Sequence, residues 1–227
     1  MNAPQKLTID IYSDVMCPWC LIGYGQLTKA LEELDGEIAG VIRWRPFELN
    51  PDMPPEGEEQ EAHLQRKYRR PAEEGAKIRG QMKAIAEQAG VSLAYEGEGE
   101  APPAMMWNTR DAHKLLAFAL EQAGPETQTA LKLALFRAHF NERRNLGDRA
   151  VLLDIAAAAG LHRAAAKAAL DDPDLEERVV AEEHQAWDMN ISGVPAMIVE
   201  GKFLIPGAQG PEVYVNALRR VAEKTRG

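Results

Sequence analysis

The sequence contains very little cysteine, which limits the sites that cysteine can build. Only two of its 227 residues are cysteines, whereas structural zinc usually takes four ligands, from two cysteine pairs or from one cysteine pair and one histidine pair. The five histidines stand singly and lack that spacing: His63, His113, His139, His162 and His184. We therefore expect no metal, although half of a zinc site remains one interpretation of the cysteines.

Long apolar runs, basic excess and a leader segment are lacking as well. No stretch approaches the roughly 18 apolar residues of a membrane span, and no charged-then-apolar segment precedes the first predicted strand. Lys and Arg total 26 against 35 Asp and Glu, a formal net charge of -9, whereas nucleic-acid binding calls for a basic stripe. We therefore expect a soluble, cytoplasmic protein that binds neither membranes nor nucleic acid.

The two cysteines stand three residues apart, in the motif Cys17-Pro18-Trp19-Cys20. Before them, residues 7–12 alternate apolar and polar side chains, as a half-buried strand does. After them, apolar residues recur at steps of three and four, which is typical of a helix with one buried face: Leu21, Tyr24, Leu27, Leu31 and Leu34. The pair is thus predicted at a strand-to-helix junction, with Pro18 in the first helical turn, where its missing N–H costs nothing.

Such a junction favours reactive thiols. The unpaired N–H groups and the positive dipole end of a helix stabilise a thiolate at Cys17, and Cys20, one turn later, is placed to close a disulfide onto it. We expect a Cys17 pKa within roughly 3.5–7.5. Dithiol–disulfide chemistry is therefore favoured over zinc, and over a purely structural disulfide, because a four-residue ring removes little chain entropy from the unfolded state.

A second motif lies near the other end of the chain. Residues 192–195, Ser-Gly-Val-Pro, precede an apolar run at 196–199, which a turn separates from a second run at 203–205, so a β-hairpin is predicted. A proline directly before a core strand is a position where a cis peptide bond can be built in. A last amphipathic helix begins after Gly210. This order of elements is that of a thioredoxin fold split by an insertion.

The middle of the chain is predicted to be helical. A second strand at 41–45 is followed by helices at 61–69, 71–90, 108–122, 126–141, 148–159, 162–170 and 173–189. We therefore predict an α/β protein in which residues 1–50 plus 190–227 form a thioredoxin-like domain and residues 51–189 form an all-helical insertion. A chain of 227 residues with 45% hydrophobic content can bury the core that this fold needs.

Five segments carry a resemblance to a known family. They are Ser13 to Cys20 with Ile22-Gly23, Phe47 to Pro51, Asn108-Thr109 with Ala112-His113, Gly193 to Pro195, and Pro206 to Gln209. With these segments the chain resembles the DsbA-like thioredoxin-fold disulfide oxidoreductases, and within them the FrnE-like branch. The resemblance implies a thiol–disulfide oxidoreductase whose thioredoxin domain holds a helical insertion. It also implies that Pro195 is cis and packs beside the cysteines.

The candidate site follows from these motifs and from the resemblance. Cys17 is the predicted nucleophile, Cys20 the resolving thiol, and Pro195 shapes the substrate edge. Substrate contacts are predicted from Pro18, Trp19, Val194 and Asn50. No metal or organic cofactor is expected, and the expected partners are thiol-containing proteins or small molecules, with glutathione as a candidate redox partner.

Three further features have two interpretations each. Asp14, three residues before Cys17, either relays protons for the thiols or hydrogen-bonds the turn. His113 either shuttles protons or is a partly exposed side chain on a helix. Residues 105–107, Met-Met-Trp, either line a groove for varied peptides or begin a helix that packs into the core.

Two other functions remain open. One is a glutathione-dependent isomerase or transferase of the kappa or 2-hydroxychromene-2-carboxylate isomerase type, which has the same split fold. Those enzymes carry serine at the position matching Cys17 and a Ser-Asp pair where this chain has Ala208-Gln209, and both departures weigh against that chemistry. The other is a non-enzymatic peptide-binding chaperone, against which the retention of both thiols speaks.

Overall fold

A four-stranded mixed sheet lies at the centre of the computed structural model, which describes residues 3–69 and 72–226. The strands are β1 (Gln5–Ser13), β2 (Ile38–Pro46), β3 (Glu58–Glu59), β4 (Met105–Met106), β5 (Ala196–Val199) and β6 (Phe203–Pro206). The large sheet has the order β2-β1-β5-β6, and β3 and β4 form a separate two-stranded sheet. β1 runs parallel to β2 and antiparallel to β5, and β5 runs antiparallel to β6.

Helices connect and cover the strands. Within the described residues they are α1 (Pro18–Glu33), α2 (Gln60–Tyr68), α3 (Ala72–Ala89), α4 (Arg110–Phe140), α5 (Arg149–Ala158), α6 (Arg163–Asp171), α7 (Pro173–Asp188) and α8 (Pro211–Thr225). Helices α2 to α7 all lie between β2 and β5 in the chain, so the predicted α/β fold with a helical insertion is confirmed. The division into two domains at 50 and 190 stays a prediction. None of the helices in the described part of the chain has the length and apolar character needed to cross a membrane.

β1 is the buried centre of the sheet, because it lies between β2 and β5. Successive side chains of a strand point to opposite faces, and here both faces are covered. Ile9 and Ile11, both 0% exposed, pack in one hydrophobic cluster with Leu218 of α8. On the other face Tyr12 packs with Ala186 of α7. The end of β1, where the cysteine motif follows, is therefore held from both sides.

α4 is a helical hairpin. Gly124 has φ 83 and ψ -179, a conformation that interrupts the helical backbone and that glycine adopts readily. The Gln128 amide donates a hydrogen bond to the Leu116 carbonyl at 3.1 Å, so the two halves lie side by side. The two helices predicted at 108–122 and 126–141 are thereby confirmed.

Gln128 also joins this hairpin to the sheet. Its side chain accepts from the Trp44 N–H and donates to the Trp44 carbonyl, both at 2.8 Å, so the edge of β2 is hydrogen-bonded by α4. The Trp44 indole packs against Tyr24 of α1 and Phe136 of α4, with ring centroids 5.3 and 6.1 Å away. Through Trp44, the helical insertion is thereby packed against the middle of α1.

The short strands β3 and β4 differ from the prediction. Met105 and Met106 do not begin a helix, because they pair antiparallel with Glu59 and Glu58. Two-residue strands carry no periodic pattern, so the sequence offers no signal for them. The helix predicted at 61–69 is α2, and its neighbour's predicted start at Pro71 lies outside the described residues. The proposed peptide groove stays a prediction.

Candidate active site

The cysteine pair begins α1, directly after β1. Cys17 is the N-cap residue, with φ -90 and ψ 110, and Pro18 occupies the first turn. Within the described residues 3–69, no side chain caps this helix and no acidic residue lies in its first turn, so the positive end of the helix dipole is left for the thiols. Both thiols are free; Cys17 is 4% exposed and Cys20 is 0% exposed, so Cys17 is the outer thiol of the pair.

Pro195 lies beside Cys17. The Val194–Pro195 peptide bond is cis, and the Cys17 thiol donates to the Val194 carbonyl with 3.7 Å between sulfur and oxygen. The Pro195 carbonyl accepts a hydrogen bond from the Gly207 N–H at 2.8 Å. The start of the hairpin is therefore fixed against the outer thiol.

Two residues distant in the sequence support this contact. Gly23 of α1 leaves room for the loop, since a Cβ there would lie only 3.1 Å from Pro195 Cγ. The buried Tyr214 hydroxyl of α8 donates to the Gly207 carbonyl and accepts from the Gln209 N–H, each at 3.2 Å. The segment that holds Pro195 is thus tied to both α1 and α8.

The hydrogen bond between the two thiols moves their pKa values in opposite directions. The hydrogen bond between the thiols is the largest cause that raises the pKa of Cys17 well above its usual range, and burial adds to it. Burial alone would raise the pKa of Cys20 too, but the Cys17 hydrogen bond, the Lys132 charge and the Ser13 hydroxyl together lower it. The prediction of a low pKa for Cys17 is therefore wrong, because the hydrogen bond to Cys20 and burial raise this pKa more than the helix terminus lowers it.

Replacing Cys20 by Ser is expected to lower the pKa of Cys17, because the hydrogen bond to Cys20 is the largest cause of its elevation. Alkylation of Cys17 by iodoacetamide should then have its pH midpoint at a lower pH than in the wild type. Each unit of that fall gives about tenfold more thiolate below the midpoint. Mass spectrometry over a pH series measures the midpoint, and Cys20→Ala controls for the serine hydroxyl. An unchanged midpoint in both variants would refute this cause.

Lys132 of α4 is part of the site, and the sequence analysis missed it. Its side chain is 0% exposed, and its Nζ lies 5.2 Å from the Trp44 ring centre and 5.0 Å from that of Phe136. Burial lowers the pKa of Lys132 to about 8. A signal did exist: Lys132 directly follows the buried Leu131 and precedes the buried Leu135 by three positions, a spacing that places a lysine on an apolar helix face.

Asp14 hydrogen-bonds the turn, which is one of its two predicted roles. It is 1% exposed; Oδ1 accepts from the Met16 N–H at 3.2 Å and Oδ2 from the Leu49 N–H at 2.8 Å. Burial alone would raise the pKa of Asp14, but His113 and the Leu49 N–H outweigh burial and lower it. An ionised carboxylate with both oxygens occupied is a weak proton acceptor, so the geometry favours this role over the relay.

His113 is buried, and the expectation of a partly exposed side chain is wrong. It is 2% exposed, and its Nε2 lies 3.8 Å from Asp14 Oδ1, beyond hydrogen-bond distance. The α4 hairpin turns its first half toward Asp14, which a sequence pattern along one helix does not reveal. His113 thus faces the carboxylate next to the thiols.

The remaining predicted contacts divide into two groups. Trp19 is 38% exposed beside Cys17, and Val194 lies against the same thiol. The Asn50 Oδ1, in contrast, accepts from Lys67 Nζ at 2.7 Å and lies 3.0 Å from the His63 Nε2, so α2 engages this amide. In residues 3–69 and 72–226, no three His, Cys, Asp or Glu side chains are grouped to hold a metal ion.

The fold of the whole chain is similar to that of several solved structures. A probable DsbA oxidoreductase of Streptomyces coelicolor has a TM-score of 0.81 and 29% identity, and the match covers 97% of this chain and 92% of that one. The cytosolic disulfide reductase DsbM of Pseudomonas aeruginosa is similar in fold, with a TM-score of 0.62, 21% identity, and coverage of 96% of this chain and all of DsbM (100%).

Sequence comparisons give the same result. The uncharacterized protein YwbO of Bacillus subtilis (strain 168) is 29% identical over 215 residues, which are 92% of this chain and 94% of YwbO. Residues 8–219 match the family described as DSBA-like thioredoxin domain. Because that match takes in the cysteine pair, the helical insertion and the Val194–Pro195 hairpin together, the chain belongs to the DSBA-like thioredoxin domain family.

Proposed function

We propose that this protein is a thiol–disulfide oxidoreductase of proteins, with Cys17 as nucleophile and Cys20 as resolving thiol. The observation that carries the proposal is the layered position of the two free thiols. Cys17 is the outer thiol, 4% exposed and 3.7 Å from the Val194 carbonyl, and Cys20 lies fully buried one turn behind it. A substrate sulfur can be joined to the first thiol and displaced by the second.

The reducing direction consists of two exchanges. The Cys17 sulfur, passing its proton to Cys20, attacks a substrate disulfide; an S–S bond to Cys17 forms and one substrate thiolate leaves. Cys20 then loses its proton and attacks the Cys17 sulfur, the Cys17–Cys20 bond forms, and the second substrate thiolate leaves. Two electrons pass from the enzyme to the substrate. The oxidising direction is the reverse, and an external thiol or disulfide restores the starting state.

The substrate surface in this proposal surrounds Cys17. Pro18 and the exposed Trp19 flank the sulfur on one side, and the Val194 backbone offers a carbonyl to an extended chain, as in strand addition to a sheet. Pro195 has no N–H, so it presents no donor that competes for the sulfur. Asn50 is assigned to the far end of this surface, where Lys67 adds a positive charge.

Glutathione is kept as a candidate redox partner and not as an isomerisation cofactor. DsbM has also been solved with glutathione. At the position where kappa-type enzymes grip glutathione, the Gln209 N–H donates to the Tyr214 hydroxyl, and the Gln209 amide donates to the Pro206 carbonyl at 2.6 Å. Those donors are therefore engaged within the chain. A glutathione-dependent isomerisation assay of the wild type and of a variant without Cys17 distinguishes the isomerase alternative from the proposed oxidoreductase.

Catalysed insulin reduction in the presence of dithiothreitol tests the proposed activity. We expect the wild type to accelerate precipitation of the insulin B chain and the Cys17→Ser variant to fall to the uncatalysed rate, because the other thiol, Cys20, is fully buried. Thermal melting checks that the variant is folded. Wild-type turnover without Cys17 would refute the proposal. A refolding assay with both cysteines changed to Ser measures the chaperone alternative separately.

Membership of the FrnE-like branch and a cytoplasmic location complete the proposal. The first rests on the segments around Phe47, Asn108 and Pro206. For the second, the cytosolic disulfide reductase DsbM is similar in fold to this chain. No organic cofactor enters the proposed exchange.

A further inference from the structure

Resting on the proposed function, we propose that the Tyr214 hydroxyl is a positioning group for polypeptide substrates. It holds the Pro195 loop, residues 193–195, where an extended chain can bind beside Cys17. Small disulfides, which need only the Cys17 sulfur, do not depend on this hold. The last helix of the chain would then help to determine the class of substrate on which the thiols act.

The Tyr214 hydroxyl is a buried group with two partners. The residue is 0% exposed, and its ring packs in the same hydrophobic cluster as Cys17 and Cys20. Its oxygen donates to the Gly207 carbonyl and accepts from the Gln209 N–H, each at 3.2 Å. Burial raises the pKa of Tyr214 to about 12, so the hydroxyl keeps its proton at physiological pH. A single oxygen atom thus serves as donor and acceptor for one turn, which phenylalanine cannot do.

The turn at residues 206–209 connects this hydroxyl to the Pro195 loop. The ladder between β5 and β6 ends at the pair Ala196 and Pro206. One residue beyond it, the Gly207 N–H donates to the Pro195 carbonyl at 2.8 Å, and the carbonyl of the same Gly207 is the one that Tyr214 binds. The position of Gly207, and through it that of Pro195, therefore depends on α8.

Contact with α1 alone does not hold the loop. A Cβ at Gly23 would lie 3.1 Å from Pro195 Cγ, so α1 packs closely against the proline ring. Such a steric contact opposes movement of the loop toward α1 and leaves movement away from it free. A hydrogen bond, in contrast, opposes lengthening, because its energy falls steeply with distance and angle. The hydroxyl thus supplies the restraint that packing lacks.

The edge held in this way has room for a chain. A Cβ at Gly193 would meet nothing within 4 Å, and the Val194 carbonyl lies 3.7 Å from the Cys17 sulfur. A polypeptide added along such an edge is aligned by its backbone hydrogen bonds, and a misplacement of about 1 Å can cost about a hundredfold in rate. A small disulfide makes no such contacts, so only polypeptides should respond to the position of the loop.

Two disulfides that release the same coloured thionitrobenzoate test this difference. One joins thionitrobenzoate to the cysteine of a short extended peptide, and the other joins it to 2-mercaptoethanol. In both, Cys17 forms an S–S bond to the peptide or mercaptoethanol sulfur, and thionitrobenzoate, the better leaving group, departs with the electron pair. In Tyr214→Phe we expect the rate constant with the peptide to fall about tenfold and that with the small disulfide to stay unchanged.

Tyr12→Phe is the matched control. Tyr12 is a second buried tyrosine, 6% exposed, but it packs with Ala186 on the other face of the sheet. This variant should react with both disulfides at the wild-type rates. Equal slowing of the two disulfides in Tyr214→Phe is the result of a merely structural role, and either this or no slowing at all would overturn the proposal.

Hydrogen exchange of backbone amides measures the hold without turnover. In Tyr214→Phe the Gly207 N–H should exchange at least about tenfold faster relative to the amides of Ile9 and Ile11, which report on the fold as a whole. An unchanged relative rate would overturn the proposal even if the exchange of thiols is slowed. Failure of the proposed function is a separate result: the wild type would then release thionitrobenzoate no faster than Cys17→Ser, while the Gly207 exchange would still decide whether Tyr214 holds the loop.

Discussion

The Cys20→Ser variant is expected to remain joined to its substrates through a disulfide at Cys17. The chain has two cysteines, and Cys20 is the one buried directly behind the Cys17 sulfur. Without Cys20, no thiol of the protein can displace the substrate, so the mixed disulfide waits for an external thiol. The lowered pKa of Cys17 in this variant should also speed its formation.

Mass spectrometry after incubation with glutathione disulfide measures this trapping. We expect nearly stoichiometric glutathionyl adduct in Cys20→Ser, little in the wild type, where Cys20 completes the exchange, and none in Cys17→Ser. With cell extract, non-reducing gels should show client proteins joined to Cys20→Ser alone. Equal trapping by both single variants would remove the assignment of nucleophile and resolving thiol.

Gly25→Ala is expected to destabilise the fold strongly, because α1 and α3 touch at this glycine. A Cβ at Gly25 would lie 2.7 Å from the Ala89 carbonyl oxygen and 2.9 Å from Val91 Cγ1. A backbone oxygen at that distance cannot be avoided by a side-chain rotation, so α3 must shift. Overpacking of this kind costs about 1–3 kcal/mol, which lowers the melting temperature by roughly 2–4 °C per kcal/mol in a chain of this size.

Gly80→Ala is the matched control for that prediction. Gly80 lies inside α3 on an exposed face, and a Cβ there would meet nothing within 4 Å. Alanine is favoured over glycine in a helix interior by about 0.5–1 kcal/mol, so this variant should be more stable than the wild type. Thermal unfolding of both variants measures the difference. A Gly25→Ala protein that melts at or above the wild-type temperature would contradict the close contact.

The elements around the site could be predicted because each has a local signal. The alternation at 7–12 predicts β1, the apolar spacing after Cys20 predicts α1, and the two apolar runs after Pro195 predict the hairpin of β5 and β6. These patterns depend on side chains within one element. They can therefore be recognised in the sequence without knowledge of the neighbouring elements.

The chemistry of the two thiols could not be predicted in the same way. A helix terminus lowers the pKa of a cysteine, and by that local rule Cys17 is the thiolate. In the folded chain the charge of Lys132, more than one hundred positions later, acts on Cys20, and the Val194 carbonyl lies 3.7 Å from the Cys17 sulfur. Lys132 lowers the pKa of Cys20, and the hydrogen bond between the thiols raises the pKa of Cys17. Their effect depends on distances and burial that no spacing in the sequence encodes.

The sequence by itself determined where the cysteines stand, which strand and helix carry them, and which proline follows in the chain. These depend on backbone propensity and on the periodic burial of neighbouring residues. Only the tertiary structure decided which side chains surround the sulfurs. The α4 hairpin turns at Gly124 and is bonded to Trp44 through Gln128, and it thereby brings His113 to Asp14 and Lys132 to the Ser13 carbonyl. Electrostatic interactions act through space in a buried site, so the acidity of each group follows from that packing.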